Sequence, residues 1–303
     1  MMQPMPGVRI ALLADRGVVR VAGEDAAKLL QGLITSDMEL LTQQPALHAA
    51  LLSPQGKILF DFFVAKISDG FLLETARAQA AGLAKRLAMY KLRAKVDIRD
   101  ASDDFRVLAV WGEGPVSASE TAGLLSFPDP RLAALGLRVL AEARSAPDIA
   151  AATGGTDATS EAYHAHRIGL GVPEGGRDYT FGDAFPHEAD LDQLGGVSFT
   201  KGCFIGQEVV SRMQNRATVR KRVVPVTGEA SLTMGAEITA GTATIGSIGS
   251  VSGLQALALL RLDRAAEAEA KGEPLRAGGV TIALRKPSWA EFELPPAVTA
   301  SAP

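Results

Sequence analysis

The sequence predicts an α+β protein, and three features carry that prediction. Apolar runs short enough for strands are interspersed with stretches of 3.6-residue periodicity, residues 46–76 carry the punctuation of an antiparallel meander, and beyond residue 222 the chain changes to strand-like runs spaced by Gly and Thr. At 303 residues the chain is too long to be comfortable around one hydrophobic core. We therefore expect an α+β region over 1–220 and a C-terminal β-barrel with a short tail over 221–303.

Each element has a local reason. Residues 8–22, "VRIALLADRGVVRVA", read as a hairpin around an Asp-Arg-Gly turn. In "EDAAKLLQGLITSD" an acidic start precedes a stripe of Ala26, Leu29, Leu30, Leu33 and Ile34, which predicts a helix. The meander over 46–76 is broken at Ser53–Gly56 and Ser68–Gly70. A helix over 77–93 buries Leu83, Leu87 and Tyr90, and "VDIRD" and "FRVLAVWG" return to strand character. The small, polar stretch 141–160 reads as a surface connection or a weak helix, followed by a helix over about 159–169. Residues 171–190, "GVPEGGRDYTFGDAFPHEAD", are dense in Gly, Pro and Asp; a long loop of that kind inside a compact domain tends to be functional or disordered, and its three aromatics favour the first. A helix starts around 204–206, and another over 263–273 interrupts the barrel strands.

Composition excludes several classes of function. The formal net charge of -3 and pI of about 5.9 give no general field toward nucleic acid or an anionic membrane. No window approaches the roughly eighteen apolar residues of a membrane span, and the N-terminal "MMQPMPGVRIALLADRG" lacks a basic and then apolar leader. With a single cysteine there is no internal disulfide, so we expect a cytoplasmic protein without a membrane partner. Four scattered histidines beside that one thiol argue against a closed metal site. A Walker loop, GxGxxG, GxSxG and HExxH are all absent.

The residues with chemical potential concentrate around "FTKGCFIGQEVVSRM", 199–213. Cys203 precedes a helix, and a helix N-terminus with a nearby Lys201 favours thiolate. It reads either as an activated thiol, or a lone ligand shared with another protein, or as a buried structural cysteine. Glu188 ends the long loop, where a carboxylate can pair with a planar ligand presenting adjacent N–H donors or simply face solvent. Asp61 interrupts the apolar "KILFDFFVAK" and so is either solvent-facing or an acceptor in a site. Arg216, Arg220, Lys221 and Arg222 form the one concentration of positive charge, fit for carboxylates or phosphates, though such a run is usually a solvated face. An RNA-binding use of 212–222 is the weaker reading, given the acidic total and the lack of an aromatic stacking set.

"KGCFIGQE" with its downstream arginines resembles the signature of the YgfZ-type folate-binding proteins, relatives of the glycine-cleavage T-protein, an aminomethyltransferase. The likeness extends through "LLQGLITSDMELL", "SPQGKILFD" and "RIGLGVPEGGRDY…PHEADLDQLGGVSFTKGC", nearly the whole chain. It implies a T-protein-like fold: two interwoven α+β subdomains and a C-terminal barrel around a cavity that holds tetrahydrofolate. It also implies Glu188 as the pterin anchor, Arg216 near the folate tail, and Lys201 and Gln207 as further cofactor-binding positions. Cys203 and Asp61 are then the candidates for chemistry. Family members serve the assembly or repair of iron–sulfur clusters, particularly [4Fe–4S] clusters of enzymes that include tRNA-modifying ones, so iron–sulfur proteins or assembly factors are the expected transient partners. T-proteins carry two consecutive aspartates where this chain has Phe60-Asp61, and they lack KGCxxGQE. That exchange of a carboxylate for a thiol argues against aminomethyl transfer, which stands as the alternative.

Overall fold

The computed structural model describes residues 7–112, 123–143, 155–216 and 219–294. The chain forms two compact units, the first from 1–163 with 194–207 and the second from 164–193 with 208–303.

The first unit is layered, with helices on one sheet and that sheet on a second. One sheet has the order β3 (Ala46–Leu52), β4 (Ile58–Ile67), β5 (Gly70–Ala76), β2 (Arg16–Ala22), β6 (Asp97–Asp100). The expected meander is its larger part, with Ala50 opposite Asp61 and Phe63 opposite Glu74. Helices α1 (Ala26–Leu33) and α2 (Arg77–Tyr90) cover one face, where Leu30, Leu33, Leu83 and Leu87 pack on Val19, Val21, Phe62 and Leu73. The opposite side chains, Val18, Phe63 and Leu72, meet Val107, Ala109, Trp111 and Leu140 of the second sheet. Side chains on both faces of β2, β4 and β5 are therefore buried, which is why these strands read as nearly solid apolar runs.

The second sheet has the order β10 (Thr156–Asp157), β1 (Val8–Leu12), β7 (Phe105–Gly112), β9 (Leu137–Glu142), β8 (Leu124–Pro128). The predicted hairpin over 8–22 does not form: β1 pairs with β7 and β10, while β2 pairs with β5 and β6. A turn at Ala14-Asp15 instead passes the chain from one sheet to the other, and Arg16 and Gly17 already belong to β2. Between the sheets, Glu74 receives Arg16 at 2.6 Å and Arg138 at 3.2 Å, and Asp129 receives Arg131 at 2.8 Å and Arg138 at 3.2 Å. Burial alone would raise the Asp129 pKa, but Arg131 and Arg138 outweigh it and hold the carboxyl down at about 2.

In the second unit β11 (Lys221–Gly228), β12 (Glu237–Ala240), β13 (Ala243–Ser252), β14 (Gln255–Arg261), β15 (Leu275–Ala277) and β16 (Val280–Leu284) close a barrel in the order β11-β14-β13-β12-β15-β16. Closure abolishes the sheet edges, and the interior is filled by Val224, Val226, Ile238, Ile248, Ala258 and Leu260 among others. Helix α3 (Ser160–Leu170) precedes the long loop, α4 (Gln207–Arg216) precedes the barrel, and α5 (Leu262–Ala270) is the expected excursion between strands. From α3 to α4 there is no further helix or strand, only an isolated bridge between Gly175 and Tyr179. Asp178 fastens part of this loop to the barrel by accepting from Arg167 Nη1 at 2.7 Å, from Glu174 N at 2.9 Å and from Ser250 N at 2.7 Å. Most of the 141–160 connection, residues 144–154, lies outside the described residues.

Candidate functional site

The turn that carries Cys203 belongs to the first unit and is anchored at both ends. On its N-terminal side, Ser198 N donates to Thr35 O at 2.9 Å, and Thr35 Oγ1 donates to Gly196 O at 2.6 Å. Lys201 is 7% exposed, and its Nζ donates to the carbonyls of Gln31 at 2.7 Å, Ile34 at 2.8 Å and Ser36 at 2.8 Å. These oxygens lie at and just beyond the C-terminus of α1, where carbonyls lack helical partners and the dipole favours a cation. Burial lowers the Lys201 pKa to about 8 against the opposing pull of Asp37, so the group is still an ammonium at neutral pH, with three N–H bonds for three acceptors. The ring of Phe204, itself buried, sits 5.5 Å from the same nitrogen.

On the C-terminal side, Gly206 has φ +79 and lies so close to the β3–β4 turn that a Cβ there would stand 2.6 Å from the Ser53 carbonyl oxygen. Between these anchors Gly202 and Cys203 are exposed, and a Cβ at Gly202 would meet nothing within 4 Å. The alternative of a buried structural cysteine is thereby removed. Lys201, expected as a cofactor contact, has instead committed all three donors to backbone carbonyls, a role that sequence spacing alone does not reveal. Gln207 opens α4, half-buried, with its backbone N–H donating to Phe204 O at 3.3 Å.

Glu188 belongs to the second unit, on a tight turn after Phe185. Its Oε2 accepts from Phe185 N at 2.8 Å, its carbonyl accepts from Val223 N at 2.9 Å, and its Oε1 has no partner among the described residues. The carboxylate is half-buried, neither a freely solvated loop group nor a sealed one. Two residues on, Asp190 is wholly buried with φ +58, an uncommon conformation for a side chain other than glycine. Arg222, 5% exposed on β11, holds this turn: Nη1 donates to His187 O at 2.8 Å, Asp190 Oδ1 at 2.8 Å and Asp192 Oδ1 at 2.9 Å, and Nη2 donates to Asp192 Oδ2 at 2.7 Å.

One guanidinium cannot balance two buried carboxylates. Burial pushes the Asp190 carboxyl well above the usual carboxylate range, with Arg222 pulling the other way. Oδ2 of Asp190 is buried and makes no hydrogen bond. The basic run over 216–222 is therefore not a uniform solvated face. Arg222 is an internal cation, and the exposed Arg212 pairs with Glu208 at 2.7 Å. Arg216 ends α4, and its side chain lies outside the described residues.

Asp61 is 8% exposed, which removes the solvent-facing reading; its carbonyl accepts from Thr75 Oγ1 at 2.8 Å. Its charge is felt by His48, which the sequence reading passed over. His48 is buried edge-on against Phe63, with ring centroids 5.8 Å apart, and its Nδ1 lies 3.1 Å from Leu194 O. Burial and then Arg131 lower its pKa to about 4, against the opposing effects of Asp61 and the Leu194 carbonyl, so the imidazole is neutral at pH 7. The only sequence signal was a histidine within an otherwise apolar strand, "ALHAALL". Among the described residues no three His, Cys, Asp or Glu side chains gather as a metal cage.

Residues 12–128 match the family described as the GCVT N-terminal domain, and residues 220–292 match that described as CAF17, C-terminal beta-barrel domain. The fold resembles the crystal structure of glycine cleavage system aminomethyltransferase T from Bartonella henselae, with a TM-score of 0.77 over 95% of this chain and 88% of that one, at 15% identity. The T-protein-like architecture is thus present, and at that identity the likeness speaks for the fold alone. By sequence, the chain is 36% identical over 231 residues to an iron–sulfur cluster assembly factor IBA57 homolog of Mycosarcoma maydis, and 34% identical over 245 residues to that of Chaetomium globosum. It covers 57% and 55% of those proteins, little more than half their length.

These relatives, and those of human and mouse, are designated mitochondrial, which overturns the cytoplasmic expectation. That expectation rested on the single cysteine and on the composition of residues 1–17, and cysteine usage reports redox conditions without distinguishing one reducing compartment from another. Human iron–sulfur cluster assembly factor IBA57 is 36% identical over 274 residues, 82% of this chain and 76% of the human protein, and the chain belongs to the IBA57 family.

Proposed function

We propose that the protein acts in iron–sulfur cluster assembly, with Cys203 as its point of contact with the cluster and Glu188 as an anchor for tetrahydrofolate. The observation that carries this reading is the exposure of the sole thiol on a turn fixed at both ends. One thiolate supplies one ligand, so a cluster engaged by Cys203 is completed by ligands from a partner or from a small thiol. Such ligation is transient, as transfer to [4Fe–4S] enzymes, tRNA-modifying ones among them, requires. The Glu188 carboxylate fits a pterin edge: one oxygen is steadied by the Phe185 amide and the other has lone pairs to offer two adjacent N–H donors. Bound tetrahydrofolate would supply a one-carbon carrier or a reduced ring, while the protein's residues bind and orient it.

Two variants test the assignment. Cys203→Ala should keep tetrahydrofolate affinity, measured by calorimetry, and abolish the recovery of [4Fe–4S] enzyme activity in cells lacking the protein; loss of both together would make the thiol a structural element. Glu188→Gln should weaken folate binding by about 1.5–3 kcal/mol, the worth of a hydrogen bond to a charged group. Unchanged affinity would show that the anchor lies elsewhere.

Aminomethyl transfer is the second reading, favoured by a carboxylate retained at Asp61 in the buried strand β4. It predicts ammonia release from an aminomethyl-loaded lipoyl carrier in the presence of tetrahydrofolate, lost in Asp61→Asn. No release from the purified protein sets it aside.

A further inference from the structure

The two anchors of the Cys203 turn differ in kind. At Gly206 the constraint is steric, since the backbone is pressed against Ser53 and Gly56. At Lys201 it is polar and concentrated in one atom, which ties the turn to three carbonyls at and just beyond the C-terminal end of α1. No strand ladder or helix supplies hydrogen bonds between 194 and 206, so the turn's conformation depends on such individual ties. Other ties on this side come one bond at a time, among them Ser198 N to Thr35 O, Thr35 Oγ1 to Gly196 O and the longer Ser36 Oγ to Gly195 O at 3.5 Å, with Lys201 N to Ser198 Oγ inside the turn itself. Lys201 alone contributes three, each charge-assisted and hence stronger than a neutral bond.

We propose that Lys201 is the positioning residue for Cys203: its buried ammonium clasps the 198–206 turn to the C-terminal end of α1 and so holds the thiol outward. The inference gives a structural basis for the proposed use of Cys203 and rests on that reading only for its biological consequence. The clasp itself is a property of the free protein and can be measured there.

The test uses the full chain with Lys201→Met, which keeps the stem and removes the donors, and Lys201→Arg, which keeps the charge but spreads its donors in a planar fork. Amide hydrogen exchange over 198–206 and the pH–rate profile of Cys203 alkylation by iodoacetamide are followed in each. Lys201→Met should raise exchange in the turn by on the order of ten-fold or more, the equivalent of one lost charged hydrogen bond. It should also displace the alkylation profile, and Lys201→Arg should restore part of both. A structural lysine without influence on the thiol would leave the alkylation profile unmoved, which overturns the proposal. Should Lys201→Met fail to fold, Lys201→Arg and Lys201→Gln are read by the same two measurements, and wild-type behaviour in both overturns it equally. A loosened turn with altered alkylation in a protein that still supports cluster enzymes upholds the clasp and brings down the reading of Cys203 instead.

Discussion

Replacing Arg222 by Met removes the buried cation that serves the Glu188 turn, and the consequence can be worked out from its four hydrogen bonds. The substitution leaves the carboxylates of the wholly buried Asp190 and of Asp192, whose side chain is 4% exposed, without their cation, and takes one of two donors from the His187 carbonyl, which keeps the Asp190 N–H at 3.2 Å. Breaking a buried pair by removing one partner costs about 3–5 kcal/mol, because an uncompensated charge is left behind. Asp190 adds a pH dependence. With its cation gone, the folded-state pKa rises further above the unfolded value of 3.8, so between those two values the folded chain keeps a proton that the unfolded chain has released. Stability then falls as pH rises through that window, and the deficit of Arg222→Met should be larger at pH 8 than at pH 5. Urea unfolding at the two pH values measures it, and the triple variant Arg222→Met/Asp190→Asn/Asp192→Asn should recover much of the loss. A deficit under about 1 kcal/mol, or one that the two Asn substitutions leave untouched, would refute the view that Arg222 acts by neutralising this turn.

The remaining predictions concern the first unit. His48 has a folded pKa lowered from 6.5 to about 4, a difference equivalent to about 3 kcal/mol, so the unfolded chain takes up a proton first as pH falls between those values. Wild-type stability should therefore decline by about that amount from pH 7 to pH 4 relative to His48→Gln, and parallel pH curves for the two proteins would contradict the buried neutral imidazole. Gly206→Ala should destabilise by at least about 1–2 kcal/mol from the left-handed backbone alone, with the Ser53 carbonyl at 2.6 Å adding to it; thermal unfolding indistinguishable from wild type would show that the turn can move aside.

Legibility in the sequence followed the range over which each feature is determined. The meander, α1, α2 and the barrel were readable because turn residues and periodicity are local, and Ser53–Gly56 and Ser68–Gly70 fall where the strands reverse. The first hairpin was misread for the same reason. An Asp-Arg-Gly turn between apolar runs says that the chain bends, but pairing with β7 and β5 is decided by residues 48 to 104 positions away, through burial on both faces. At the candidate site, Cys203 and Glu188 were visible as residue types in unusual settings, while Lys201 and Arg222 were visible only as positive charges. What distinguishes them, carbonyls at 31–36 for one and carboxylates at 190 and 192 for the other, lies 165 to 170 and 30 to 32 positions away.

The chain between α3 and α4 bears both Glu188 and Cys203 yet has almost no secondary structure of its own. Such a segment cannot satisfy its backbone internally, and apolar packing, being non-directional, would hold it in place without fixing its conformation. In each unit the solution is a buried cation with several donors. Arg222 converges on a carbonyl and two carboxylates around Glu188, and Lys201 converges on three carbonyls beside Cys203. Buried charges of this kind are poor contributors to net stability, since desolvation offsets much of their attraction. Their advantage here is directional: a multidentate donor accepts one arrangement of its acceptors and penalises the others. The pattern implies that substitutions at either cation should disturb the geometry of the neighbouring candidate residue before they disturb the sheets or the barrel, which is the order in which local hydrogen exchange and global unfolding would report them.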